Sequence, residues 1–332
     1  MLCFCGICNH WLFSKNPGHD FTRQHLGKLS FYDTMRLIIS MGKGSTNDEI
    51  MDYFDLDPDL IPSQSAFCQR RRQISLSAFE YLFSEFSSSF PSTTDKFKDH
   101  CILACDGCHV VYATNSDIIE DYNKPRLIDY KGYNHMHLNG FVDVISKAFL
   151  DVVIQPGQQP DEREALHSML DHFTPDDPQK YIITADRGYE SSDLLFHCEL
   201  KNLGYVFRVK SPSSPKSILS YYASELPDDL EEFDVTIKRF FTDKATNIMK
   251  SQSDVYRYIN PSKNTPHFYE LLRKNSHLYF LQFRVVKIKT AGISKTGNLF
   301  PPDSVQFRHF YRKRSGRRKP EKETGWQQQV SL

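Results

Sequence analysis

The stretch KYIITADRGYESSDLLFHCELKNLGYVFRVK, residues 180–210, constrains the fold more than any other part of this sequence. Its apolar runs predict a strand, a helix and a second strand, over residues 181–185, 191–202 and 205–210. A strand–helix–strand unit of this length is typical of an α/β sheet with parallel strands. Asp186 follows the first of these strands directly, so a charged carboxylate stands next to a buried segment, which suggests a functional role.

The upstream segment ILACDGCHVV carries the same feature at Asp106. We predict two buried strands, 102–105 and 110–112, joined at Asp106–Gly107. In α/β sheets, sites form outside strand ends, where side chains converge, so Asp106 and Asp186 are expected to meet. The alternative is local, because an aspartate at a strand-to-turn junction often accepts hydrogen bonds from nearby backbone N–H groups. The residue pattern alone does not decide between the two.

Two carboxylates brought together in this way can share a divalent metal ion. Hard oxygen ligands suit Mg²⁺ or Mn²⁺, which complete their coordination with water and substrate phosphate. A pair of such ions can hold both the attacking and the leaving oxygen of a phosphodiester. The sequence therefore offers Asp106 and Asp186 as candidate metal ligands and catalytic residues.

CILACDGCHV and IITADRGYES resemble the corresponding segments of DDE transposases of bacterial insertion sequences, in particular the insertion-sequence-four group. LSFYDTMRLIISMGKGSTNDEIMDYF and SAFCQRRRQISLSAFEYLFSEF are similar to the helical N-terminal region of that group. YKGYNHMHLNGFVDVISKAFLDVVIQPG is similar to its second and third catalytic strands. The resemblance covers roughly residues 20–290, and ADRGYES is its most specific part.

The resemblance implies an α/β fold: an RNase H-like catalytic domain with a β-rich insertion, preceded by a helical N-terminal domain. The domains expected from this resemblance and from the sequence pattern are an unassigned segment 1–24, a helical and DNA-binding domain 25–92, a catalytic core 98–210, an insertion 211–290 and a basic tail 291–332 without regular structure. It also implies Mg²⁺- or Mn²⁺-dependent DNA strand cleavage and strand transfer at Asp106 and Asp186. The partner would be double-stranded DNA at the element ends, and a homodimer is compatible with this activity.

The family's third acid, a glutamate in a Tyr-x2-Arg-x3-Glu-x6-Lys motif, is not found. Tyr311 and Arg314 match the start of the motif, but Arg318 stands at the glutamate position and Gly325 at the lysine position. An arginine there would repel metal cations. We therefore expect a sequence truncated or frame-shifted after about residue 290, and a transposase whose strand cleavage is absent or severely weakened.

Several arginines are candidates for DNA contact. Arg70, Arg71 and Arg72 lie in a predicted helix, where they would contact phosphates or simply form a solvated face. Arg187, beside Asp186, would contact a phosphate or balance the local negative charge. The basic, aromatic tail RHFYRKRSGRRK is compatible with nonspecific nucleic-acid binding. Glu190, four residues after Asp186, is a candidate supporting acid.

The cysteines support a weaker alternative. Cys105 and Cys108 form a CxxC motif, but it lies between predicted strands, where no helix dipole lowers a thiol pKa, and a zinc site would need further ligands. Cys3, Cys5, Cys8 and His10 match no zinc spacing. Three other functions remain open: a non-catalytic DNA-binding remnant, an unrelated metal-dependent nuclease, and a CxxC oxidoreductase.

Composition adds little about partners, because Lys+Arg and Asp+Glu both number 41 in the 332 residues. No apolar run is long enough for a membrane span, and the first residues lack the features of a secretory signal. With eight scattered cysteines, the chain is not a disulfide scaffold. These features predict a cytoplasmic protein.

Overall fold

The computed structural model describes residues 29–89, 96–124, 131–244, 246–260, 262–289 and 306–311. The chain divides into two compact units, Met1–Ser89 and Phe90–Leu332. The predicted segment 1–24 lies outside the described residues. Within them, no helix has the length and apolar character needed to cross a bilayer.

The described part of the first unit consists of four helices. They are α1 (Phe31–Ser40), α2 (Thr46–Tyr53), α3 (Gln64–Gln73) and α4 (Leu76–Ser89). Helix α1 begins at a capping box, in which Ser30 accepts from Asp33 N and the Asp33 carboxylate accepts from Ser30 N. Helix α4 ends at Ser89.

The second unit is built on one mixed sheet with helices. Its strands are β1 (Cys101–Tyr112), β2 (Tyr122–Asn123), β3 (Tyr133–Asp143), β4 (Phe149–Pro156), β5 (Tyr181–Ala185), β6 (Gly204–Arg208), β7 (Phe233–Thr242), β8 (Tyr256–Tyr258), β9 (Leu278–Lys289) and β10 (Gln306–Tyr311). Its helices are α5 (Glu162–His172), α6 (Ser192–Leu200), α7 (Asn247–Ser251) and α8 (Pro266–Lys274). The predicted strand–helix–strand unit is confirmed as β5, α6 and β6.

The strand order along the sheet is β2-β3-β1-β5-β6-β10-β9-β7-β8, and β4 pairs with the free side of β3. β3 and β4 follow β1 as antiparallel neighbours, whereas β5 and β6 run parallel to β1. β7 and β9 form an antiparallel pair. The strand β10 lies inside the tail that we predicted to lack regular structure, and it joins β6 to β9.

The two faces of the central strands are covered to different degrees. On β1, Leu103 and Cys105 are fully buried, and on β5 the same holds for Ile183 and Ala185. They pack against α5 and α6 in the main core, through residues such as Leu166. The alternate positions of both strands face the other way. These are half-buried: Ile102, Ala104, Ile182 and Thr184. Asp106 and Asp186 continue these two rows of half-buried positions.

Candidate active site

Asp106 and Asp186 lie side by side where the parallel pairing of β1 with β5 ends. The last paired residues are Cys105 and Ala185, and each aspartate follows directly in its chain. Because neighbouring strands lie about 4.8 Å apart, carboxylates at these two positions are close enough to share one cation. Both aspartates are exposed. The arrangement that the sequence predicted is therefore present in the backbone register.

Each carboxylate also accepts a hydrogen bond from a nearby backbone N–H group, as the alternative interpretation of the sequence expected. Asp106 Oδ1 accepts from Gly107 N at 2.9 Å, and Asp186 Oδ1 accepts from Gly188 N at 2.6 Å. Asp186 thereby caps a single 3₁₀ turn over residues 187–189. Both hydrogen bonds are accepted by Oδ1. Capping at this oxygen is therefore compatible with metal binding at both aspartates.

The prediction that Asp106 lies at a strand end is wrong. β1 is one continuous strand from Cys101 to Tyr112, and Asp106 pairs with Gly140 of β3 in its middle. The strand continues because β3 pairs with it on both sides of Asp106, as far as Tyr112. Only β5 stops at this level. Asp106 is therefore accessible because the neighbouring strand ends there, and not because its own strand turns away.

Gly107 likewise has another role than the predicted turn. A Cβ at this position would lie 2.5 Å from His137 Nε2 and 3.1 Å from Asn139 Oδ1. Glycine is therefore needed because the His137 ring approaches the backbone of β1 closely. His137 is buried, and neither of its ring nitrogens makes a hydrogen bond in the described part of the chain.

A third carboxylate, Glu162, lies near this pair and was missed by the sequence analysis. Glu162 Oε2 lies 2.5 Å, and Asp186 Oδ1 3.0 Å, from the point that a Cβ on Gly188 would occupy. Glu162 Oε1 also lies 3.5 Å from His137 Nε2. In the sequence, Glu162 gives no functional signal, because an acidic residue in the first turn stabilises any helix. Its place beside Asp186 depends on how α5 packs on the sheet.

Glu190, the predicted supporting acid, does not face this site. Its side chain is buried, and its oxygens accept from Lys210 N, Ser217 Oγ and Ile218 N at 2.8 to 3.1 Å. It is occupied in holding the segment after β6. Arg187, in contrast, is exposed in the 3₁₀ turn beside Asp186.

The predicted DNA-binding arginines of the first unit lie in the last turn of α3. Arg71 and Arg72 are exposed and Arg70 is half-buried. Arg70 donates to Gln73 Oε1 at 3.3 Å, and the Arg71 guanidinium lies 5.8 Å from the centroid of the Phe67 ring. Two of the three arginines thus present their charge to solvent.

Several predicted features lie outside the described residues. Arg314, Arg318 and Gly325 are among them, and Tyr311 is the last residue of β10. The N-terminal residues Cys3, Cys5, Cys8 and His10 also lie outside the described residues.

The CxxC motif does not form a redox pair. In a strand, residues three apart face opposite sides, so Cys105 is buried in the core while Cys108 is exposed on β1. Both thiols are free. Burial raises the pKa of the Cys105 thiol to about 12, which is the opposite of what a reactive cysteine needs. The oxidoreductase alternative therefore has no support in this geometry.

We expect iodoacetamide at pH 8 to alkylate Cys108 at least about a hundredfold faster than Cys105, because the thiolate is the reacting form. Peptide mass spectrometry of a time course on the native protein measures both rates. Similar rates, or a reversible disulfide between the two cysteines, would contradict the assignment of Cys105 to the core. Rates in urea serve as the control, since unfolding should remove the difference.

Adjacent acidic side chains at the level where a parallel strand pair ends are ligands of the kind that hard divalent cations prefer. Residues 97–326 match the family model of the transposase DDE domain. The chain belongs to this family, whose members generally use divalent metal ions and act on DNA. It matches no curated protein.

Proposed function

We propose that this chain is a DNA transposase of the insertion-sequence-four group, with Asp106 and Asp186 as its first two catalytic acids. The observation that carries the proposal is their adjacency beyond the Cys105–Ala185 pair, within the segment that matches the family. Its substrate is double-stranded DNA at the ends of a mobile element. Such DNA belongs to a bacterial chromosome or plasmid, so the protein would act in the cytoplasm, and we propose a homodimer holding two ends.

We further propose an RNase H-like core for the second unit. The support is the strand order β4-β3-β1-β5-β6, with three antiparallel strands followed by two strands parallel to the first. The helices α5 and α6 precede β5 and β6 in the chain. In this interpretation, β7, β8 and β9 belong to an insertion that follows the second aspartate.

The residues present fit a hard divalent cation, Mg²⁺ or Mn²⁺. Asp106 and Asp186 offer exposed carboxylate oxygens, and the Glu162 carboxylate lies beside that of Asp186. A divalent ion would supply the counter-charge that neighbouring carboxylates need. When bound, such an ion would polarise a phosphodiester and activate water for strand cleavage. The protein's own contribution is to hold the carboxylates in register on two paired strands.

We also propose that strand cleavage is severely weakened in this protein. The support is the sequence, where Arg318 stands at the position of the family's third acid. A positive charge there would oppose metal binding, and it would leave Glu162 as the carboxylate best placed to supplement the pair. Arg187 and the three arginines at 70–72 would supply phosphate contacts that do not depend on cleavage. A DNA-binding protein without cleavage is therefore the second candidate.

Titration of Mn²⁺ into the protein by calorimetry tests the site directly. We expect wild-type protein to bind Mn²⁺, and Asp106→Asn and Asp186→Asn each to weaken binding at least about tenfold, because a carboxylate ligand is lost. Glu162→Gln should weaken it less. Asp229→Asn, an exposed aspartate elsewhere in the second unit, is the matched control. Unchanged affinity in both aspartate variants would refute the assigned ligands.

A nicking assay on element-end DNA with Mn²⁺ separates the two candidate functions. A gel shift of the DNA without nicking, together with Mn²⁺ binding, supports the weakened transposase. A gel shift without nicking and without Mn²⁺ binding supports the DNA-binding protein that lacks cleavage. Efficient nicking that Asp106→Asn abolishes would contradict the proposed weakness and would leave the family assignment intact. In that case, loss of nicking in Glu162→Gln would assign the third acid to α5.

A further inference from the structure

Three histidines from three helices meet away from the aspartate pair. His167 of α5, His197 of α6 and His267 of α8 each place one ring nitrogen within 4.8 Å of the others. Their side chains are 12%, 2% and 19% exposed. We call this group the histidine cluster. Buried imidazoles that converge in this way are the commonest ligands of transition metals in proteins.

Each imidazole of the cluster also turns a nitrogen toward a carboxylate. His267 Nδ1 lies 2.7 Å and His167 Nε2 3.6 Å from Asp193 Oδ2, and His197 Nε2 lies 3.2 Å from Asp171 Oδ1. Metal-binding histidines show this arrangement, in which the outer N–H donates to a carboxylate and fixes the tautomer. The inner nitrogens, His167 Nδ1, His197 Nδ1 and His267 Nε2, are then left without protons.

Counting protons shows why a cation fits at the centre. His167 Nδ1 and His197 Nδ1 lie 2.9 Å apart. If each outer nitrogen carries the proton, two lone pairs face each other at this distance. If His167 instead carries its proton on Nδ1, that N–H donates to His197 Nδ1, and the bare Nε2 lies 3.6 Å from Asp193 Oδ2, beyond hydrogen-bond distance. A metal ion between the inner nitrogens would accept both lone pairs while the outer N–H groups face their carboxylates.

We propose that His167, His197 and His267 bind one transition-metal dication, and that the ion is Zn²⁺. Three imidazoles with one position left for water match zinc better than Mg²⁺ or Ca²⁺, which prefer oxygen. The rings now lie nearly parallel, at 7° and 12° between His267 and the other two. Metal binding would turn them so that each ring plane contains the ion. His267, the most exposed of the three, has the most room to turn.

An ion bound at this site would link α5, α6 and α8, because each helix supplies one of its ligands. Asp193 already connects α6 to α8, because its Oδ1 accepts from Phe268 N at 2.9 Å in the first turn of α8. Helix α8 has no side-chain cap of its own from Thr265. An ion bound beside this contact stabilises the folded form through mass action, since the unfolded chain does not hold the three ligands together. The proposal is independent of the proposed transposase chemistry.

Chelator-treated full-length protein, titrated with Zn²⁺ by calorimetry, tests the site. We expect one zinc per chain at this site and a higher melting temperature with zinc. His267→Gln should lose at least about a hundredfold in affinity, because it removes a ligand from a partly exposed position. His172→Ala, an exposed histidine of α5, is the matched control and should bind as wild type does. Asp106→Asn should also retain this binding, which separates it from the aspartate pair.

Co²⁺ gives a second measurement that needs no variant. We expect the intense visible absorption of four-coordinate Co²⁺ in wild-type protein, displaced by one equivalent of Zn²⁺. Weak six-coordinate absorption, no zinc binding, or equal zinc affinity in folded His267→Gln would each overturn the proposal. In those outcomes the cluster is held by hydrogen bonds alone.

Discussion

Replacing Glu190 with alanine is expected to lower the free energy of unfolding by about 3–5 kcal/mol, because it leaves buried donors without their acceptor. Glu190 is 4% exposed. It accepts from two backbone N–H groups and one hydroxyl, and its Oε2 lies 3.3 Å from Lys210 Nζ. Removing the carboxylate leaves Lys210 N and Ile218 N without this acceptor, between β6 and the 3₁₀ helix over residues 218–222. Ser217 Oγ keeps Lys210 O as an acceptor at 2.9 Å, and the Lys210 ammonium, on a side chain that is 33% exposed, can turn to water.

Urea unfolding of the full chain, followed by circular dichroism, measures this effect. Glu190→Gln keeps the shape and one acceptor oxygen and should cost less than the alanine variant. Glu270→Ala, at an exposed position of α8, should change stability by no more than about 0.5 kcal/mol. An alanine variant at position 190 as stable as wild type would mean that Glu190 does not hold this segment in solution.

The second large effect is expected at Phe207, whose replacement by alanine should cost about 3–5 kcal/mol. The Phe207 side chain is fully buried in β6, which pairs with β5 on one side and with β10 on the other. Truncation removes apolar contacts and leaves a cavity in the middle of the sheet's core, where strands on both sides limit relaxation.

Phe280→Ala is the matched control for this prediction. Phe280 belongs to β9 of the same sheet but is 46% exposed, so its truncation should cost about 1 kcal/mol or less. Thermal and urea unfolding of both variants give the difference. Equal losses at positions 207 and 280 would contradict the assignment of the core to the face that includes Phe207.

The sequence predicts the backbone of this protein better than its site. The strand–helix–strand unit β5, α6 and β6 follows from apolar runs of clear length. The adjacency of Asp106 and Asp186 was also predictable, since both follow buried runs of similar character. The continuity of β1 through Asp106 was not, because an Asp–Gly pair signals a turn unless β3 is known to lie alongside it.

The residues that the sequence missed are those that depend on packing between distant segments. Glu162 becomes part of the site only because α5 brings its first turn beside Gly188. The histidine cluster draws one ligand from each of three helices, and no short spacing pattern joins His167, His197 and His267. A sequence motif for metal records ligands that are close along the chain. It cannot record a site assembled by three helices.

The unequal cover of the central strands determines from which direction DNA can reach the carboxylates. On one face, α5 and α6 bury Leu103 and Ile183 completely, so no duplex can pass there. On the other, Ile102 and Thr184 are half-buried, and the exposed aspartates continue their rows. The proposed DNA substrate would therefore come in over this less covered face, with a phosphate leading. Any segment that packs on that face competes with the substrate for the same approach.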